Sequence, residues 1–283
     1  MIRNFLFAAA CCVPAFAVTP ITSCGQTLST PGETYVLTAN LTCAPVVPPA
    51  DPTGLRVVAD DIVIDLQGFT FTGTGAHNGI LTASLASCLA VKRLEVKNGT
   101  IKNFGTPISL CAPGSVPVAM NAKIHNLVIR DSQTGIVIGG STDNEVRNNR
   151  FIAINVPQSP ANPFVAYRIG TAIYVDKANN NKIEGNQIIG AAANGIALDH
   201  GSLDNEVQRN TISRSGRNGI VIFGAGVTPP PANAPYPASD DNLVRRNRVI
   251  NSTDKDMRDE NPACGSNDWI KNVFQSTNNS CIH

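Results

Sequence analysis

Aromatic side chains are scarce in this chain: they make up 5% of 283 residues, with 1 Trp and 4 Tyr. Neither sign of charge dominates, since 22 Lys and Arg stand against 21 Asp and Glu. That balance gives no overall field to draw in nucleic acid or an anionic membrane, although a local cationic groove is compatible with it. Beyond the N-terminus no apolar run is long enough to cross a bilayer, and no useful stretch carries a helical stripe. None of the 8 cysteines sits in a CxxC pair and the 4 histidines do not cluster with them, which argues against zinc.

What the chain has is repetition. GIVIGGSTDNEVRNNRF, AIYVDKANNNKIEGNQI, GIALDHGSLDNEVQRNTI and GIVIF…DNLVRRNRV begin at Gly135, Ala172, Gly195 and Gly219. Each opens on a short apolar strand, passes a polar turn and ends on Asn-x-(Val/Ile)-x-x-Asn-x-apolar. The second Asn falls at Asn149, Asn186, Asn210 and Asn247, in steps of 37, 24 and 37 residues. A period near 23 with insertions of about 13 or 14 residues accounts for all three steps, and periods of this size mean a solenoid.

The alternation inside each unit selects the solenoid. Ile136/Ile138, Ile173/Val175, Ile196/Leu198 and Ile220/Ile222 are apolar at spacing two, the pattern of a strand with one buried face. Val146, Ile183, Val207 and Val244, then Phe151, Ile188, Ile212 and Val249, supply the inward residues of two more strands. Three strands per coil, stacked about 4.8 Å apart, predict an all-β, single-domain parallel β-helix in which the four asparagines form a buried amide ladder.

The flanks complete the plan. Met1 to Ala17, with Arg3, the apolar run Phe5 to Ala10 and Ala15-Phe16-Ala17, reads as a secretory signal peptide cleaved after Ala17, which predicts a secreted or periplasmic protein; separately, a monomer is expected. Residues 18–54 are expected to cap the N-terminus, 55–252 to form the β-helix and 253–283 to cap the C-terminus, because open solenoid ends expose strand edges. Asn98-Gly99 is expected at the ladder corner, and Gly105 to Met120, with Pro107, Pro113 and Pro117, as one degenerate turn. Six cysteines follow Ala17, and export favours disulfides. Of the 15 possible pairings, proximity favours Cys24–Cys43, Cys88–Cys111 and Cys264–Cys281.

DIVIDLQGFTFTG, VKNGTI, the Gly-Ile-x-(Ile/Leu) strands and the tail DENPACGSNDWIKNVF resemble exported right-handed β-helix proteins of the pectate-lyase-like group, which includes the repeat of the periplasmic copper-accessory protein NosD. The resemblance spans about Tyr35 to Ile282 and implies a right-handed coil. It also implies a polysaccharide groove along one sheet, but lyases, galacturonases, epimerases, tailspikes and adhesins share the fold, which does not choose among them. No Asp-Pro-His motif typical of mannuronan epimerases is present.

Function is sought where the repeat is interrupted. One insertion lies between Phe151 and Ala172, before a Gly-Ile-type strand; another lies between Ile222 and Asn242, after one. Both border the same sheet from opposite sides and would wall a groove. If the isoleucines face inward, then Tyr174, Asp176, Ala197 and Asp199 face outward, with Asp176 and Asp199 on adjacent coils. Stacked carboxylates repel, which raises one pKa or recruits a cation such as Ca²⁺. In a lyase or epimerase, Asp176 and Asp199 would neutralise a uronate carboxylate while Lys177, His200 or Tyr174 abstracts the adjacent proton. In a hydrolase the two aspartates would be acid and base. Arg168, Tyr167 and Phe223 are candidate substrate contacts. Asp before Lys-Ala-Asn or His-Gly-Ser is also an ordinary turn residue, so a non-catalytic glycan-binding protein stays open. A copper-accessory role finds little support, with 3 Met in the chain.

Overall fold

The computed structural model describes residues 18–44, 53–75, 77–83, 88–111, 118–155, 168–227 and 235–283. The proposed signal segment lies outside them. The described residues are all-β, with one 3-10 turn at Pro262–Cys264, and no helix among them is long and apolar enough to cross a membrane. Short parallel strands coil through three sheets. One coil runs through Lys182–Glu184 in the first sheet, Gln187–Ala191 in the second and Ile196–Asp199 in the third. The next runs through Glu206–Gln208, Thr211–Ser213 and Asn218–Ile222.

The register is the one the alternation demands. Val146, Ile183, Val207, Val244 and Trp269 stack in direct register down the first sheet, and Phe151, Ile188, Ile212 and Val249 down the second. All are buried, and each large side chain so enclosed contributes about 1.5–3 kcal/mol. Glycine opens the third-sheet repeat for a steric reason. A Cβ on Gly135 would lie 2.1 Å from the Ala172 carbonyl oxygen, and one on Gly195 2.5 Å from that of Gly219.

First and second sheets meet at a two-residue corner whose first residue is left-handed: φ is 54° at Asn148, 65° at Gly185, 55° at Arg209 and 56° at Arg246. The second residue is the inward asparagine. Asn149, Asn186 and Asn210 each donate from Nδ2 to Oδ1 of the asparagine one coil on, at 3.1, 3.0 and 3.0 Å, and Asn247 donates to Asn272 at 3.1 Å. Each Oδ1 also accepts the backbone N–H of the asparagine in the preceding coil. A second ladder, Asn144, Asn181, Asn205, Asn242 and Asn267, runs along the other edge of the first sheet. It uses the first Asn of the same motif, which the sequence reading left without a role.

Several boundaries differ from expectation. Asn98 takes the left-handed corner position at φ 59°, and Gly99 occupies the ladder row opposite Leu127, so the ladder begins at Asn149. Thr106–Cys111 is a regular strand of the third sheet; Pro107 is tolerated near its start, where pairing has only begun. The expected caps extend the solenoid itself. Val18–Ile21 and Thr34–Leu37 join the first sheet at one end, while Asp268–Ile270 joins it and Lys255–Asp259 joins the third at the other. Trp269 closes that end of the core, its Nε1 donating to Asp259 Oδ2 at 2.9 Å. The three disulfides pair as proximity suggested: Cys24–Cys43, Cys88–Cys111 and Cys264–Cys281.

Candidate functional site

The third sheet carries the predicted row of outward residues. Gly139, Asp176 and Asp199 are direct register partners on three coils, and Phe223 continues the row, its N–H donating to the Leu198 carbonyl. Two residues earlier, Val137, Tyr174, Ala197 and Val221 form an apolar strip on the outer face, with Phe223 packed on it. Outward does not mean exposed here. Tyr174 is 4% accessible and Ala197 fully buried, so the expectation of a phenol open to the groove is corrected.

After each aspartate the strand ends in a left-handed residue, Lys177 and His200, both at φ 51°. That turn brings the imidazole back over the two carboxylates. His200 Nδ1 lies 2.8 Å from Asp176 Oδ1 and 3.5 Å from Asp199 Oδ2. Asp199 accepts the His200 backbone N–H at 2.8 Å through Oδ1 and the Tyr174 hydroxyl at 2.7 Å through Oδ2. Four residues on adjacent coils thus form one network: the buried pair Tyr174–Asp199 below, His200 and Asp176 above. Side-chain accessibility is 5% for Asp199 but 21% for His200 and 34% for Asp176, so only the last two reach a molecule lying on the sheet.

The electrostatics follow from this stacking. The hydrogen bond to Asp176 holds the His200 imidazole above its ordinary pKa, and the negative charges of Asp199 and Asp176 add to this against the cost of burial. Burial pushes the Asp199 carboxyl up, opposed by the Tyr174 hydroxyl. Burial, with both aspartates beside it, drives the Tyr174 phenol well above 10, which removes it as a base at neutral pH. Lys177 and Arg168 are exposed cations at the rim: Lys177 opposes the rise at His200 and Arg168 that at Tyr174.

The described parts of the insertions flank this network from the two ends of the strands. Arg168 leads into Ile173–Asp176 and accepts a hydrogen bond from Thr134 Oγ1 through its carbonyl, at 3.2 Å. Tyr167 lies outside the described residues. On the other side Gly226–Val227 and Pro235–Tyr236 pair as an antiparallel hairpin. Tyr236 sets its ring edge-on to His200 with centroids 4.3 Å apart, and Pro237 closes on the following turn, where a Cβ at Gly201 would lie 2.5 Å from its Cγ. Sequence reasoning missed Tyr236; its signal was a tyrosine set between Pro235 and Pro237 in the proline-rich insertion.

A calcium ion is a poor fit. Calcium takes 6–8 oxygens, whereas the His200 imidazole already stands between the carboxylates and the Tyr174 hydroxyl donates to one of them. Among the described residues no three His, Cys, Asp or Glu side chains are arranged to hold a metal. The six cysteines among the described residues, which a copper role would draw on, are joined in disulfides.

The model of the right-handed β-helix region matches residues 88–283, more than half of the chain. The chain belongs to the right-handed β-helix family. No curated protein matches its sequence. Among solved structures, DFA-IIIase from Arthrobacter chlorophenolicus A6, in complex with GF2, aligns at TM-score 0.51 and 11% identity, over 85% of this chain and 60% of that one. The periplasmic alginate epimerase AlgG aligns at 0.50 and 12% identity, over 87% and 61%, and the Dettilon tailspike protein gp208 at 0.51 and 12%, over 91% and 55%. At such identities the likeness is one of fold, and this β-helix spans about 60% of the length of the first two.

Proposed function

We propose that this protein acts on an acidic polysaccharide laid along the third sheet, with His200 as the proton-transfer group and the product formed by elimination. The observation that carries the reading is the 2.8 Å contact between His200 Nδ1 and Asp176 Oδ1. With Nδ1–H donating to that carboxylate, Nε2 bears the lone pair and has no protein partner among the described residues. Nε2 takes the proton on the carbon beside the uronate carboxylate; the electron pair left behind forms the ring double bond as the glycosidic C–O bond breaks, and water protonates the departing oxygen. Lys177 and Arg168 supply the positive charge that the uronate needs. Tyr174 and Asp199 position the imidazole from beneath. The names of the fold neighbours, an alginate epimerase among them, support the substrate class, and three disulfides support a place in an oxidising, exported compartment.

Incubation with a panel of polyuronides tests this, ultraviolet absorbance reporting unsaturated ends. His200→Asn keeps a residue that tolerates the left-handed turn and is expected to lower the rate by about 10²–10⁴; a variant as fast as the parent removes His200 from the reaction. Chelator is expected to leave the rate unchanged. Reducing ends without absorbance would mean hydrolysis. Retention on the polymer without turnover would mean a glycan-binding groove, the reading that the burial of Tyr174 and Asp199 favours.

A further inference from the structure

The second sheet, on a different side of the coil from His200, carries its charge unlike the rest of the molecule. On the first sheet cations are matched across neighbouring positions: Lys97 with Glu95 at 3.0 Å, Arg147 with Glu145 at 3.2 Å, Lys182 with Glu184 at 2.6 Å. The outward positions of the second sheet carry Lys102, Arg130, Arg150 and Arg248 and otherwise Thr, Ser, Gln, Val and Ile. Among the described residues the one carboxylate on its strands is Asp131, at a corner, 3.3 Å from Arg130. The adjoining two-residue corner adds Arg209, Arg246 and Lys271. Arg150, Arg246, Arg248 and Lys271 are exposed and make no ion pair among the described residues. In a chain of net charge +1 this is a segregated cationic face.

The cations fill three neighbouring columns of the register. Lys102 and Arg130 share one with Ile152, Arg150 and Arg248 share the next with Gln187, and Arg209, Arg246 and Lys271 form the corner column, Arg209 being paired with Glu184. At about 4.8 Å per coil this oblique band runs for about 29 Å along the solenoid axis. Between the cations, Ile152 and Ile189 stack in register, each half-buried, with Ile250 two coils further on. No aromatic residue occupies an outward position here among the described residues. Single-stranded nucleic acid is held on aromatic platforms and a membrane surface by inserted Trp, Phe or Leu. What this face offers is an oblique band of positive charge interleaved with shallow aliphatic ground, which suits a linear polyanion whose rings present carboxylates at the edge and C–H groups on the face.

We infer that the second sheet and its adjoining corner hold an anionic polysaccharide chain, running obliquely across the coils, at a surface separate from the His200 groove. Attraction comes from displaced counterions, so it weakens steeply with salt. Binding here does not depend on the chemistry proposed for His200, and a His200→Asn protein retains it.

The test is retention on immobilised polygalacturonate and alginate at low and high salt, with full-length protein. Arg150→Ser/Arg246→Ser/Arg248→Ser, all exposed positions, is expected to weaken binding by about tenfold or more and to flatten its salt dependence. The matching triple Lys variant is expected to bind as the parent does, and circular dichroism checks that both are folded. Cleavage of short oligosaccharides, if the parent has it, is expected to be the same in the triple Ser variant. An unchanged affinity in the triple Ser variant would overturn the inference, as would tighter binding to duplex DNA or to phosphatidylcholine–phosphatidylserine vesicles than to either polyuronide.

Discussion

Asn210→Ala removes the middle rung of a ladder, and its cost can be worked from the hydrogen bonds. Asn210 Oδ1 accepts from the Asn186 backbone N–H at 2.9 Å and from Asn186 Nδ2 at 3.0 Å; its Nδ2 donates to the Ile183 carbonyl at 2.9 Å and to Asn247 Oδ1 at 3.0 Å. After truncation Asn186 Nδ2 keeps the Val146 carbonyl and Asn247 Oδ1 keeps the Asn210 backbone N–H. The Asn186 N–H and the Ile183 carbonyl lose these partners at a site closed to water. Two orphaned buried groups at about 1–3 kcal/mol each give a loss of about 2–6 kcal/mol. Asn272→Ala breaks the equivalent bonds at the last rung, but Asn272 is half-buried and water can replace the amide, so about 0.5–1.5 kcal/mol is expected. Urea unfolding followed by both near- and far-ultraviolet circular dichroism measures the pair, with coincident transitions checking that the solenoid unfolds as one unit. Equal losses at the two rungs, or a loss below about 1 kcal/mol for Asn210→Ala, would refute the view that enclosure gives the ladder its strength.

Two further outcomes concern the site. Asp176→Asn removes the leading cause of the raised His200 pKa, so the limb of the pH–rate profile on which activity rises as the imidazole deprotonates should move to lower pH; an unmoved limb would separate Asp176 from the base. Tyr174→Phe takes a hydrogen bond from a buried carboxylate and should cost about 1.5–3 kcal/mol. The folded pKa of Asp199 lies above its unfolded value of 3.8, so its contribution to stability falls as pH rises from there through the folded pKa. The Phe variant, lacking a donor to the charged form, should therefore lose most above that window and least in acid, and melting temperatures at acidic and neutral pH check the sign.

The fold was legible because a solenoid writes its geometry into every coil. One inward aliphatic pair per strand, a glycine where the next coil's backbone approaches and an asparagine at a two-residue corner recur whatever lies between them, and insertions do not erase the pattern. The ends were less legible. Residues 253–283 lack the Gly-Ile strand, yet Asn267, Trp269 and Asn272 sit in ladder, core and ladder rows, a match visible only once Asn242, Val244 and Asn247 are laid beside them.

At the site the sequence carried parity but not cover. Period-two alternation assigns Tyr174 and Asp199 to the outer face, and register then stacks Asp176 on Asp199 with no further information. Whether an outward residue meets solvent depends on what folds over the sheet, and that is set by segments outside the repeat. The division of labour within the network follows from cover alone. Tyr174 and Asp199 have the same parity as Asp176 but are enclosed, whereas the left-handed turn at the strand end leaves the His200 side chain partly exposed. The same distinction bears on the second sheet. Its cations are too dispersed in the sequence to read as a basic run, from Lys102 to Lys271, and they gather on one face, in three adjacent columns, only because the coil returns every strand to the same face. In a solenoid, surface chemistry is therefore read down the columns of the register, and a balanced total charge says nothing about any one column.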